Sequence, residues 1–545
     1  MSAADPVRRP APAQDKPEGL RQAMSWLHTW SGLIFGWVLF AMFLTGTLAF
    51  FRPEINAWMK PEVNVRPVSE AQSIAAAERY LSEKAPDAVR WYITPSTARA
   101  PQVQVSYEDP KAGRGRAGFK TVQLNPADGS VIEARASRGG EFFYRFHFEL
   151  EMGYPWGRWL ASIAGMFMLV AIISGVITHK KIFVDFFTFR PGKGGQRAWM
   201  DGHNALSVLG LPFHLMITFT GLVLFMTMLM PAGTLARYDS DREFFAEVYP
   251  AFADTPAKGQ PAALAPLMPM VEQARARWPG GSVGRIIVNR PGDAAASVSI
   301  SGSTSDRVSS GRLPPSITFD GVTGEVRSAS EADNAVRTTA GTLIGLHLGL
   351  FAQPLLRWLY FLVSMAGTAM VGTGLMLWVA KRRQKAGRGA GEKLSLRVVE
   401  ALNIGSIAGL FIGIAAYFAA NRLIEPFASG RSALEIKVFF YAWGAALLYA
   451  FVRRRTAWRD LLAAGGLMYV ALPVLNAFTT SRHLGISLPA GDWVFAGFDL
   501  TVLVSGLLLL WLARKAARAV QRTHAAQTND KLAHARAAAV QMRGS

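Results

Sequence analysis

Runs of about twenty apolar residues, the length that crosses the hydrocarbon of a bilayer, recur along this chain. They lie at Trp26–Phe50, Trp156–Thr178, Leu206–Met230 and Leu355–Ala380, then at Leu402–Ala420, Ala433–Val452, Leu461–Phe478 and Trp493–Ala513. The pattern predicts a membrane all-α protein with eight transmembrane helices. Two long polar segments interrupt the first four, at Arg52–Pro155 and Pro231–Leu346. Each opens with helical periodicity (Val68–Leu81 and Ala263–Trp278) and continues with alternating runs such as Val103–Tyr107 and Val298–Ile300, so each predicts an α+β insert. Both inserts contain a hairpin of one design: Asn125 and Gly129 within Val122–Val131 correspond to Asp320 and Gly324 within Ile317–Val326. The Asn or Asp opens the turn and the Gly supplies a positive φ. Gly/Ser/Arg-rich loops, Lys111–Gly118 and Ser301–Gly311, precede the hairpins.

The helices repeat as well. Thr45-Gly46 and Thr220-Gly221 each begin 17 residues after a histidine, His28 and His203. His147 with Arg158-Trp159 recurs as His347 with Arg357-Trp358, one residue shorter, and Ser174-Gly175 recurs as Thr373-Gly374. The unit is helix, insert, helix, and it occurs twice. Two spans per unit give both copies one orientation, related by an axis along the membrane normal. The predicted order is a tail (1–25), a first span (26–51), insert one (52–155), a second span (156–179) and a loop (180–205). A third span (206–230), insert two (231–346), a fourth span (347–380) and a loop (381–401) follow. Four further spans (402–513) and a basic tail (514–545) close the chain and lie outside the duplication.

With 50% hydrophobic and 18% charged residues among 545, the chain is neither disordered nor fibrous. It contains no cysteine, which removes disulfides, thiolate metal sites and covalent haem attachment. The net charge of +20 sits on alternate loops: Arg8 to Arg21, Lys180 to Arg197, Lys381 to Arg388, Arg453 to Arg459 and Arg514 to Arg522. That alternation follows the positive-inside rule with both termini cytoplasmic, so the basic excess is topological and no nucleic acid is implied. Both inserts then face the periplasm. Phe51-Arg52-Pro53 continues the first block as an uncut anchor would, and Trp26, Trp30, Trp156, Trp159 and Trp358 stand at block ends as an aromatic belt.

Leu27-His28, Gly32, Thr45-Gly46, Phe146-His147-Phe148, Asp201-Gly202-His203-Asn204 and Leu211-Pro212-Phe213-His214 together resemble the PepSY-associated transmembrane family. The link from His179 through Asp185 to Arg190-Pro191 is similar too, and the inserts with their hairpins resemble PepSY domains. The resemblance covers about residues 20–385. It implies a bacterial inner-membrane protein, and members of the family include iron-regulated ferric-siderophore (ferrioxamine-type) reductases carrying b-type haem.

Six of the nine histidines lie at ends or depths of the first four helices: His28, His147, His179, His203, His214 and His347. Imidazole in or beside hydrocarbon is costly and marks function by default. Without cysteine it is the remaining strong ligand for iron. His28, His179 and His203 fall at the cytoplasmic end, and His147 and His347 at the outer end. On a straight helix His214 would lie about 16 Å beyond His203 and about 20° around from it, on one face at a second level. Two-fold symmetry pairs His28 with His203 at an inner haem and His147 with His347 at an outer one. His214 stands between them or replaces an outer ligand, and His179 competes for the inner site. The bland alternative for each is an interfacial histidine bonded to backbone or headgroups. His483, His524 and His534 read as solvated.

The sequence thus predicts a four-helix bundle holding two non-covalent, bis-histidine b-type haems, beside four extra helices. The activity expected is electron transfer across the membrane to a periplasmic acceptor, foremost a ferric siderophore, from quinol or a cytoplasmic reductase. An outer cleft lined by Trp91-Tyr92 and the run Phe142-Phe143-Tyr144-Arg145 would take the chelate, with Tyr144 and Arg145 at its edge. The rivals are a non-enzymatic membrane protein whose PepSY modules bind a partner or peptide, and a transporter, which should show broken helices or acidic pairs at mid-membrane. Glycine-rich Gly387–Gly391 lacks a strand–helix context, and no hydrolase triad is present.

Overall fold

A computed structural model describes residues 19–110, 118–179, 195–249, 255–330, 334–386 and 393–543, and side chains to residue 521 apart from 241–242 and 386. The first tail, nearly all of the Lys111–Gly118 loop, the basic link 180–194 and the Gly387–Gly391 stretch lie outside the described residues. Among the described residues, seven helices are long and apolar enough to span a membrane: α1 (Leu20–Ala49), α5 (Trp156–Thr178), α10 (Pro354–Ala386), α11 (Leu394–Leu423), α12 (Arg431–Val452), α13 (Arg454–Thr479) and α14 (Trp493–Arg543). A bent pair, α6 (Gly195–Leu209) and α7 (Leu211–Val223), meets at 69° and makes an eighth if the two cross as one span. The protein is therefore a multi-pass membrane protein, and its third apolar block is a broken helix rather than a straight one. Two local causes act there. Pro212 has no N–H to give the carbonyl of Val208, and the His214 ring fills the space beside Gly210, where a Cβ would lie 2.4 Å from it.

The first four spans form one bundle: α1 packs on α5 and α10, α5 on α7, and α10 on α6. Exchanging the two copies maps these contacts onto one another, as the duplicated sequence requires. The last four spans form a second unit, in which α11 packs on α12 and α13, and α13 on α14. The units are joined by α11 against α1 and α10 and by a short helix α2 (Arg52–Met59) against α14. Polar side chains fix this seam. Trp37 donates to Asn403 Oδ1 (2.8 Å), Asn403 donates to the Leu375 carbonyl (3.0 Å), and Trp58 donates to Asp499 Oδ1 (2.9 Å).

The two inserts build a single sheet. Insert one supplies α3 (Glu70–Lys84), β1 (Arg90–Thr94), β2 (Val103–Glu108) and β3 (Phe119–Leu124). Insert two supplies α8 (Leu267–Arg277), β4 (Val283–Asn289), β5 (Ser297–Gly302), β6 (Ser316–Asp320) and β7 (Val326–Ala329). The order is β3-β2-β1-β4-β5-β6-β7, all antiparallel, with the copies meeting at β1 and β4 (Trp91 opposite Val288, Ile93 opposite Ile286). Ile74, Ala77 and Leu81, read from the sequence as one helix face, are buried on this sheet beside Leu267, Met270 and Val271. The hairpins have the expected turn chemistry. Gly129 and Gly324 take φ of +79° and +76°, while Asn125 and Asp320 accept amide hydrogens from their own turns.

Candidate functional site

Two short helices dip into the insert-side end of the bundle: α4 (Gly139–Glu149), just before α5, and α9 (Ala335–Leu348), just before α10. They carry His147 and His347. The sequence reading placed both at the ends of the spans themselves. Instead, Leu150 and Gly349 take left-handed conformations (φ +52° and +61°) that end each short helix and let the chain turn into the span.

Four of the six membrane histidines meet in two pairs, each pair taking one residue from each copy. The His28 and His203 rings are 6.2 Å apart between centroids, and those of His147 and His347 are 6.1 Å apart. All four are held alike. Nδ1 of His28 donates to the Ala171 carbonyl (2.8 Å), that of His147 to Met42 (2.7 Å), that of His203 to Met370 (2.9 Å) and that of His347 to Ile217 (2.8 Å). A carbonyl only accepts, so Nδ1 carries the proton and Nε2 keeps its lone pair.

The receiving helices share one local pattern. Three residues after each accepting carbonyl stands a hydroxyl (Thr45, Ser174, Thr220, Thr373), and four residues after it stands a glycine (Gly46, Gly175, Gly221, Gly374). The hydroxyl donates to the same carbonyl, at 3.3, 3.2, 3.3 and 2.9 Å respectively. Positions i and i+4 share a helix face, so a side chain on the glycine would cover the carbonyl that the imidazole must reach. A Cβ there would lie 2.7 Å from His147, 3.2 Å from His28, 2.8 Å from His347 and 3.1 Å from His203. The recurring Thr-Gly and Ser-Gly pairs of the sequence are thus the seats of the histidine rings.

The remaining histidines are placed otherwise. His214 is buried on α7 past the bend, so its straight-helix relation to His203 does not hold. Its Nε2 lies 3.3 Å from the Val363 carbonyl, and its buried Nδ1 has no hydrogen-bond partner. It is not paired with a second histidine among the described residues. His179 caps α5, and its Nε2 lies 2.9 Å from the Asn204 amide nitrogen, next to His203 in sequence. Among the described residues no group of three or more His, Asp or Glu side chains converges as a metal cage would.

The aromatic run expected to line an outer cleft is mostly interior. Phe142 and Phe143 are fully buried against Tyr417 and Phe439 or Phe418 of the last four helices. Trp91 is buried under the sheet and donates to the Ala85 carbonyl. Both are therefore core, because each faces an apolar layer that the sequence reading had not paired with it. Tyr144 accepts from Arg312 of the other copy (2.7 Å) beneath the Arg52 guanidinium, and Arg145 is paired with Glu149, which also holds Arg158.

A site missed by sequence reasoning lies at the insert-side end of the last four helices. Arg431 and Glu435, each without solvent exposure, form an ion pair on α12. Glu435 also accepts from Asn421 and Ser137, while Arg431 donates to the Ala136 and Asn421 carbonyls. Arg422 and Asn476 continue this network to Asp499. Charged residues clustered at the ends of otherwise apolar blocks, on the side poor in basic loops, were the available signal.

An uncharacterized protein of Pseudomonas aeruginosa is 26% identical over 405 residues, covering 69% of this chain and 95% of that relative. Residues 25–381 match the PepSY-associated TM region, which spans both duplicated units and stops before the last four helices. The chain belongs to the PepSY-associated transmembrane family.

Proposed function

We propose that the two histidine pairs would each hold a b-type haem, and that the protein moves electrons across the membrane. The observation carrying this reading is the fourfold lock: each ring donates Nδ1–H to a carbonyl, fixing the tautomer and leaving Nε2 as a ligand nitrogen. The ring centres of the two pairs lie 6.2 and 6.1 Å apart, so one group could be held between the imidazoles of each pair. His28 and His203 would hold one group, and His147 and His347 the other. Bound there, haem supplies one-electron redox centres at two depths. Along α1 the two levels are 14 residues apart (His28 to Met42), or about 21 Å of rise. Leu39, Met42, Ala164, Met168 and Met370 form one buried apolar cluster in this part of the bundle.

The activity this arrangement suits best is reduction of a ferric siderophore on the insert side, read as periplasmic, with quinol or a cytoplasmic reductase as donor at the other end. Reduction weakens the grip of hard oxygen ligands on iron, since Fe²⁺ stands low in the affinity order. Guanidinium groups of both copies, Arg52 and Arg312, gather at Tyr144 there and suit an anionic chelate. Purified protein should contain two haems per chain, and His203→Ala should lose the inner one only. Dithionite-reduced protein freed of excess reductant should release Fe²⁺ from at least one anaerobically added ferric siderophore.

A second reading draws on the family match and the seven-stranded sheet: a module that binds a partner or peptide, with the histidines as packing. The broken third span likewise keeps transport in view. Folded protein without a haem absorption band would overturn the redox reading and leave these two.

A further inference from the structure

The end of the molecule opposite the inserts carries a cavity of about 530 Å³ where the start of α11 meets the α12–α13 turn. One wall is apolar and open: Leu394, Val398, Phe451 and Val452 are 75, 37, 46 and 80% exposed. The other wall is basic, with Arg397, Arg453 and Arg455 lining it. Arg454 also lines it, but its charge is already spent on buried Glu400, which Arg383 shares. Arg453 and Arg455 make no ion pair among the described residues, and both stand at the amino end of α13, whose dipole favours an anion. Alternation of basic loops accounts for arginines at this end of the helices. It does not account for their convergence on one cavity beside bare aliphatic side chains.

We infer that this cavity is a binding site for an anionic phospholipid, its phosphate on Arg453 and Arg455 and one acyl chain along Leu394, Val398 and Val452. The amphipathic lining is the argument for a lipid over free phosphate: phosphate would use the arginines and leave the apolar wall without a partner. Two cations facing an anionic headgroup predict a preference of about 30-fold, or about 2 kcal/mol at 1.4 kcal/mol per tenfold.

The test uses full-length protein, stripped of lipid in a non-ionic detergent and titrated with phosphatidylglycerol or phosphatidylcholine of the same chains under native mass spectrometry. Phosphatidylglycerol should bind about 30-fold more tightly, and R453Q/R455Q should abolish that preference while R453K/R455K keeps most of it. R514Q/K515Q, which removes two charges elsewhere on the same end, should leave it intact. Equal binding of the two lipids, or equal loss in R514Q/K515Q, overturns the site. Inorganic phosphate that displaces phosphatidylglycerol at millimolar concentration, and alone raises the melting temperature, would make free phosphate the ligand and overturn the lipid assignment. Both glutamine positions are exposed, and unchanged melting of R453Q/R455Q in lipid-free detergent separates lost binding from lost fold.

Discussion

Alanine at Gly46 tests whether the histidine seats are built as described. A Cβ at this position meets three atoms of the His147 ring at 2.7, 2.8 and 3.2 Å. Ordinary contact begins near 3.5 Å, so the ring must retreat by about 0.8 Å. Its 2.7 Å bond to the Met42 carbonyl then stretches to the edge of hydrogen-bonding range or past it. Overpacking of this kind costs about 1–3 kcal/mol, and the lost bond about 1 more. The better helix propensity of alanine returns up to about 1 kcal/mol, leaving a net loss of about 1–3. Gly32, on the same helix, has nothing within 4 Å of its Cβ position, so Gly32→Ala should be neutral or stabilising by up to about 1 kcal/mol. Melting of the two variants in one detergent gives opposite signs if the seat is real, and on the proposed haem reading Gly46→Ala should also perturb the outer haem band and spare the inner one. Gly46→Ala melting with Gly32→Ala, at or above wild type, would refute the reasoning whether or not haem is bound.

Two further outcomes are expected. Glu435→Ala leaves Arg431 buried without its carboxylate and should cost about 3–5 kcal/mol; Arg431→Met with Glu435→Leu should recover only part, because the Ala136 carbonyl loses its donor and Ser137 and the Asn421 amide lose their acceptor, while Arg135 still serves the Asn421 carbonyl, and thermal melting ranks the three. In the second hairpin, the Thr323 amide and then Arg327 hold the Asp320 carboxyl down to about 2, so its contribution is full above the unfolded value near 3.9 and fades as pH falls through about 2. Hydrogen-exchange protection of Val322 and Thr323, whose amides the carboxylate accepts, should fall across that window in wild type, while Asp320→Asn, which copies Asn125, should flatten the dependence.

The eight apolar blocks, the duplication and both hairpins were legible because each rests on local chemistry: block length, equal spacing, and a glycine where φ must be positive. The pairing of His28 with His203 and of His147 with His347 followed from symmetry alone. Less was visible where a residue's role depends on a distant neighbour. Phe142 reads as an interfacial aromatic until α11 and α12 cover it, and nothing in its own segment announces them. The bend at Gly210 was written in Leu211-Pro212, yet block hydropathy averages over it. The Thr-Gly and Ser-Gly recurrences were visible as pattern, but their meaning required seeing which carbonyl each glycine uncovers.

Locking and pairing are divided between different interfaces in this fold. His28 is held by α5 and His147 by α1, both within the first copy; His203 is held by α10 and His347 by α7, both within the second. Each copy therefore orients its own two imidazoles without help from the other. Only the meeting of the copies brings the rings to about 6 Å, and it does so at both levels at once. One two-fold contact thus creates two equivalent sites, which is why a single Thr-Gly or Ser-Gly pattern occurs four times. The sheet adds to the same meeting of copies: α3 packs on β1 and β2 of its own copy and on α8 of the other, and β1 pairs with β4 across the axis. A shift along that interface would change both ring separations and the β1–β4 register together. Bundle and sheet are consequently one mechanical unit, and binding at the sheet that displaced one copy against the other would reach both histidine pairs.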